Sequence, residues 1–171
     1  MIDQEKELTE FYEKEIRSKK GSDRIQINNI LCAVCVAALS VLLGISVGEH
    51  SSWTIGQLAV AIPFLVTSSL SYAKVAYRKS HEATRWDTLG WIGHSVGYTA
   101  ILNATGILLY DRGFERVAWI FLGVVVSLFL TYSILDVHAK RKRFKEKLLK
   151  LLFYFALILI GLVLPIVAGW V

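Results

Sequence analysis

Residues 25–48 read IQINNILCAVCVAALSVLLGISVG, twenty-four positions without an Asp, Glu, Lys or Arg. A helix needs about 20 such residues to cross a hydrocarbon core about 30 Å thick. Four further runs share this property, at 51–73, 88–110, 117–135 and 151–171. A soluble core helix seldom needs so long an uncharged stretch, and five in one chain define a polytopic membrane protein. The fold expected is all-α, a bundle of five transmembrane helices spanning about 25–47, 53–73, 88–110, 117–135 and 148–171. A short amphipathic cytoplasmic helix within residues 1–24 precedes it. With 171 residues in total, 54% of them hydrophobic, and a mean hydropathy of +0.50, no room remains for a separate soluble domain.

The charges between the runs set an orientation. Seventeen of the 19 Lys and Arg residues fall in 1–24, 74–85 and 136–150, and only Arg112 and Arg116 fall in the alternate segments. Basic residues flanking a spanning helix are retained on the cytoplasmic side. The N-terminus is therefore expected in the cytoplasm and the C-terminus outside, in the plasma (inner) membrane. So strong a bias disfavours inverted pairing, so any homo-oligomer should be parallel. The net charge of +5 sits at membrane edges, which points to anionic lipid headgroups rather than nucleic acid. Lys140, Arg141, Lys142, Arg143, Lys145 and Lys147 are the expected headgroup contacts.

The flanking segments carry local signals. Leu8, Phe11, Tyr12 and Ile16 share one helical face, a surface for a cytoplasmic partner, for headgroups or for the chain's own loops. Gly21, Ser22 and Asp23 are expected to break that helix before the first span. A cleaved leader is not expected, because the polar segment before the first span is long and acidic. In the second span Pro63 cannot donate to the carbonyl of Ala59 and should kink the helix, with Thr67, Ser68, Ser69 and Ser71 nearby as donors. No Gly or Pro occurs from 124 to 160. Asp136 is thus the candidate cap for a last helix beginning near Val137 and entering the membrane through a basic stem.

The third span differs from the rest. Gly90, Gly93, Gly97, Ala100 and Ala104 trace a small-residue face suited to close helix approach. His94, Tyr98 and Thr105 lie on a second face, and Ser95, Thr99 and Asn103 on a third. Such a helix is poorly suited to lipid and is expected at a protein-facing position. The fifth span, rich in Leu, Ile, Phe and Val, is the expected lipid-facing one. His94 is the sole side chain within a span that titrates near neutrality.

Several chemistries are disfavoured. Cys32 and Cys35 sit among Ala, Val and Leu, where a thiolate is hard to form, so they read as packing residues. No Cys or His cluster suggests a metal, and His50, His81 and His138 lie at or beyond span ends, so no cofactor is expected. Proton-coupled pumps need an embedded carboxylate and voltage sensors need Arg repeats, and the spans have neither. No phosphate loop, nucleophile elbow or zinc motif is present.

The leading expectation is a non-enzymatic protein that self-assembles into a channel-like or membrane-perturbing parallel oligomer, signalled through its cytoplasmic face. A path would be lined by groups such as Asn29, Cys32, Ser40 and Gly44 of the first span and Gln57, Ser68 and Ser71 of the second. One alternative is an enzyme acting on lipid headgroups at the cytoplasmic edge, with Tyr72, Lys74, Arg78, His81, Glu82, Arg85, Asp87, Asp136 and His138. Another is a small-solute carrier with a site at the Pro63 kink, using His94 and Asn103.

Overall fold

The computed structural model describes residues 2–45, 51–77, 80–139 and 144–171, with side-chain surroundings at 15–16, 18–44, 51–75, 83–135 and 144–171. The expected contacts of Lys140–Arg143, Arg78 and Lys79 lie outside the described residues, as do those of the side chains of His81, Glu82, Asp136 and His138. The described residues form helices and turns and no strand. The elements are α1 (Ile2–Ile45), α2 (Ser52–Tyr77), α3 (Ser80–Asp111), α4 (Glu115–Ala139) and α5 (Phe144–Val167).

Among the described residues, four helices are long and apolar enough to cross a membrane, at Ser18–Gly44, Ser52–Val75, Glu115–Leu135 and Phe144–Val167. α3 has the length but is not among them. Its glycines, hydroxyls, His94 and Asn103 dilute its Leu and Ile.

Three expectations are corrected. α1 runs unbroken through Gly21, Ser22 and Asp23. Gly21 is buried there, and a methyl on it would stand 3.2 Å from the carbonyl oxygen of Tyr72. The missing side chain thus serves close packing against α2 rather than a break. Secondly, α4 continues past Asp136 and Val137 to Ala139, so Asp136 starts no helix, and α5 begins at Phe144. With no Gly or Pro to stop it, α4 extends about one turn beyond the apolar run. Thirdly, the fourth span rather than the fifth is the most exposed, with 6% of its apolar window buried against 28% for Phe144–Val167. α5 is held inward by hydrogen bonds to its carbonyls.

The Gly161 carbonyl is available because α5 is irregular. Residues Leu159–Val163 form a π-helical turn in which the Leu164 N–H bonds Leu159. Pro165 has no N–H for Gly161, four residues back. Helix ends follow standard chemistry. Ser51 Oγ accepts from the Trp53 N–H at 3.2 Å, capping α2. Gly113 (φ 80°) and Gly169 (φ 66°) close α3 and α5 in the left-handed conformation. The bonds Phe114 N–H to Leu109 and Trp170 N–H to Pro165, each 2.9 Å, complete a Schellman pattern at both ends.

The chain divides into two compact units. The first comprises Met1–Ala37 and Ala61–Tyr98, and the second Ala38–Val60 and Thr99–Val171. In the first unit α2 and α3 meet through glycines. A methyl at Gly93 would lie 2.7 Å from the Phe64 carbonyl oxygen, at Gly97 2.6 Å from Leu65 Cγ, and at Gly90 2.9 Å from Tyr72 Cε1. Tyr72, Val75 and Ala83 form a small apolar core with Ile25 and Trp86 against it. In the second unit Phe129 of α4 stacks on Tyr154 of α5 at 4.7 Å, and Gly106 faces Leu162.

α1 has three faces. Gly21, Asn28, Cys35 and Leu42, spaced by seven, are buried. Ile27, Ile30, Val34 and Val41 form an exposed apolar face. Ser22, Gln26, Asn29, Ala33, Ala37, Ser40 and Gly44, at steps of three and four, form a separate exposed stripe of small and polar residues.

Candidate functional site

The first unit contains a chain of hydrogen bonds linking three helices. Asn28 of α1 is fully buried, and its Nδ2 donates to Ser68 Oγ of α2 at 2.8 Å. The Ser68 hydroxyl donates to the Gly90 carbonyl of α3 at 2.7 Å. His94 Nδ1 lies 2.7 Å from Asn28 Oδ1. The carbonyl end fixes every direction. A carbonyl only accepts, so Ser68 must donate to Gly90 and accept from the Asn28 amide. That leaves Oδ1 facing His94, and Nδ1 must carry the proton. In neutral His94 the remaining lone pair is on Nε2. The ring lies parallel to Tyr98 at 5.9 Å.

One turn toward the N-terminus of α1, Arg24 ties the same helices together. Its Nη1 donates to the Tyr72 hydroxyl at 2.6 Å and to Asp87 Oδ1 at 3.3 Å, and its guanidinium lies 4.7 Å from the Tyr72 ring centroid. The pair is about one-third to one-half exposed, so its ionic part contributes at most about 1 kcal/mol.

The second unit holds a different polar cluster around the irregular turn of α5. Trp53 Nε1 at 3.0 Å and Gln57 Nε2 at 3.4 Å both donate to the Gly161 carbonyl, the one Pro165 leaves open. Asn103 Nδ2 donates to the Leu157 carbonyl at 3.1 Å. A methyl at Gly161 would collide with the Asn103 amide nitrogen and stand 3.1 Å from Gln57 Nε2, so both amides converge there. Among the described residues, Asn103 Oδ1, Thr99 Oγ1 and Thr54 Oγ1 are buried without a hydrogen-bond partner. Each such atom costs about 1–3 kcal/mol if left unmet.

The structure thus joins His94, Tyr98 and Ser68 with Asn28, whereas Asn103 belongs to the other unit. Pro63 stands on the exposed face of α2. Its α2 neighbours have other partners: Ser69 donates to Asn29 Oδ1 at 3.5 Å and Ser71 to Thr67 at 2.8 Å. Cys32 points at the Ile62 carbonyl, 3.9 Å away, and not with Asn29, Ser40 and Gly44 along the stripe. Of the residues offered for a headgroup enzyme, Tyr72 and Asp87 are engaged by Arg24, and Arg85 is exposed. Lys145 is exposed at the start of α5, and Lys150 pairs with Glu146 at 2.7 Å.

Sequence reasoning missed Arg24 and Asn28. The seven-residue recurrence of Gly21, Asn28, Cys35 and Leu42 is the signal that sets Asn28 apart from Asn29. No cluster of three His, Cys, Asp or Glu side chains that would hold a metal occurs among the described residues. The chain matches no protein-family model, no curated protein and no solved structure.

Proposed function

We propose that the chain is a non-enzymatic, multi-pass protein of the plasma (inner) membrane that self-associates in parallel into a channel-like or membrane-perturbing assembly. All five helices cross, with the N-terminus cytoplasmic and the C-terminus outside. The stripe along α1 supports this reading. Ile27, Ile30, Val34 and Val41 give α1 a face suited to lipid, and a second exposed face carries amides, hydroxyls and small groups instead. Gln26 and Asn29 are unfavourable against hydrocarbon, and Ala33, Ala37 and Gly44 permit close helix approach. An axis along the membrane normal brings this face of each copy together. A path there would be lined by Ser22, Gln26, Asn29 and Ser40, without charge. The N-terminal part of α1 would receive a cytoplasmic partner, and the basic residues of 140–147 would rest on anionic headgroups.

The test uses purified protein in liposomes and single cysteines in a background lacking Cys32 and Cys35. Cysteines at Ala33 and Ser40 should crosslink between copies, cysteines at Ile30 and Val34 should not, and the vesicles should leak a small ion or dye. A monomeric protein without flux would sink the reading.

A further inference from the structure

We propose that the cluster around Asn103 and Thr99 in the second unit is a binding site for a monovalent cation. The argument starts from where the donors go. Trp53 Nε1, Gln57 Nε2 and Asn103 Nδ2 are the N–H groups of the cluster, and all three donate to carbonyls of α5. The buried side-chain atoms left without a partner among the described residues are all oxygens. Anchoring Nδ2 on Leu157 turns Asn103 Oδ1 away from that carbonyl, and Oδ1 has no partner among the described residues. Thr99 Oγ1, one turn earlier on the same face of α3, is also unpartnered. Thr54 Oγ1, one turn before Gln57 on α2, is a third. Asn103 is 3% exposed and both threonines 1%, so bulk water does not reach them.

The backbone beside the cluster is the second observation. α5 is interrupted at this level by the π-helical turn, by Gly161 and by Pro165, and the Gly161 carbonyl is answered by Trp53 and Gln57 instead of a helical N–H. Irregular backbone within a membrane is tolerated where protein or a polar cavity satisfies it, and interrupted helices supply ion ligands in that way. The donor set is neutral and made of hard oxygens. A divalent ion would require carboxylates. Sodium, potassium and ammonium are satisfied by hydroxyl and carbonyl oxygens alone.

Thermal unfolding of the 171-residue chain in nanodiscs decides the matter, in NaCl, KCl, NH4Cl or N-methylglucamine chloride at one ionic strength. The expected result is a saturable rise in Tm with at least one small cation over N-methylglucamine. The size of that cation identifies the occupant. Thr99→Val, which preserves shape, should raise the half-saturating concentration at least tenfold, and Thr54→Val serves as a second variant if the first unfolds. Equal Tm in all four salts would mean that water alone fills the site, and the proposal fails. A cation effect unchanged in both valine variants would place the ion elsewhere and equally overturns it.

Discussion

At the scale of the residue, neighbouring Asn28 and Asn29 separate two roles. Asn28 holds His94 and Ser68 together, whereas Asn29 lies on the exposed stripe. Asn28→Leu leaves the His94 Nδ1–H without its acceptor and should cost about 1–3 kcal/mol of stability in a denaturant titration. Asn29→Leu should change stability by less than about 0.5 kcal/mol and weaken crosslinking between copies. The glycines divide in the same way. Gly93→Ala places a methyl against the Phe64 backbone, which has little freedom to move, and should cost about 1–3 kcal/mol. Gly123→Ala meets nothing within 4 Å and should be neutral, or stabilising by up to about 1 kcal/mol. The spacing of Gly90, Gly93 and Gly97 is readable in one dimension. What each meets is not, because Tyr72, Phe64 and Leu65 come from another helix. For the same reason two adjacent amides look alike in sequence until Ser68 is known to stand opposite one of them.

At the scale of the element, α1 and α5 show how composition misleads. Gly21, Ser22 and Asp23 have the composition of a helix breaker, yet α1 continues through them because Gly21 admits the backbone of α2. Spin labels at Glu15 and Ser40 should therefore report a single separation of about 38 Å, the rise of an unbroken helix. A shorter or broad distribution would mean a bend at Gly21. In α5 the sequence shows Gly161 and Pro165 as interruptions but not which side chains answer them. Pro165→Ala supplies the N–H that Gly161 lacks and relieves Gln57 of its role. Gln57→Leu should thus destabilise the native protein more than it destabilises the Pro165→Ala variant. A double-mutant cycle by thermal unfolding measures the difference, and additivity would argue against the coupling. The relative exposure of α4 and α5 is not legible in sequence because the exposed and the buried positions of both are apolar. Only the hydrogen bonds to the α5 carbonyls distinguish them.

At the scale of the molecule, the helical character and the four apolar helices follow from uncharged runs that can be counted directly. For a chain whose four apolar helices cross a membrane, α3 decides on which sides the two ends lie. If it crosses with the other four, the two ends of the chain lie on opposite sides, and if it does not, they lie on the same side. In a background lacking Cys32 and Cys35, a cysteine at Gly169 should react with an impermeant maleimide in intact cells, and one at Ser18 only after the membrane is permeabilised. Labelling of both from one side would remove α3 from the membrane and the proposed orientation with it. The composition of α3 also bears on biogenesis. A segment diluted by His94, Asn103 and glycines partitions weakly from the translocation channel into lipid by itself. α2 precedes it in the chain and offers Phe64, Leu65, Ser68 and Tyr72 to its glycine face. The two should therefore leave the channel as a paired hairpin, with α2 retained until α3 has been synthesised. Glycosylation-site reporters on truncated nascent chains would then show α3 integrating when α2 is present and slipping through when it is replaced by an unrelated apolar helix.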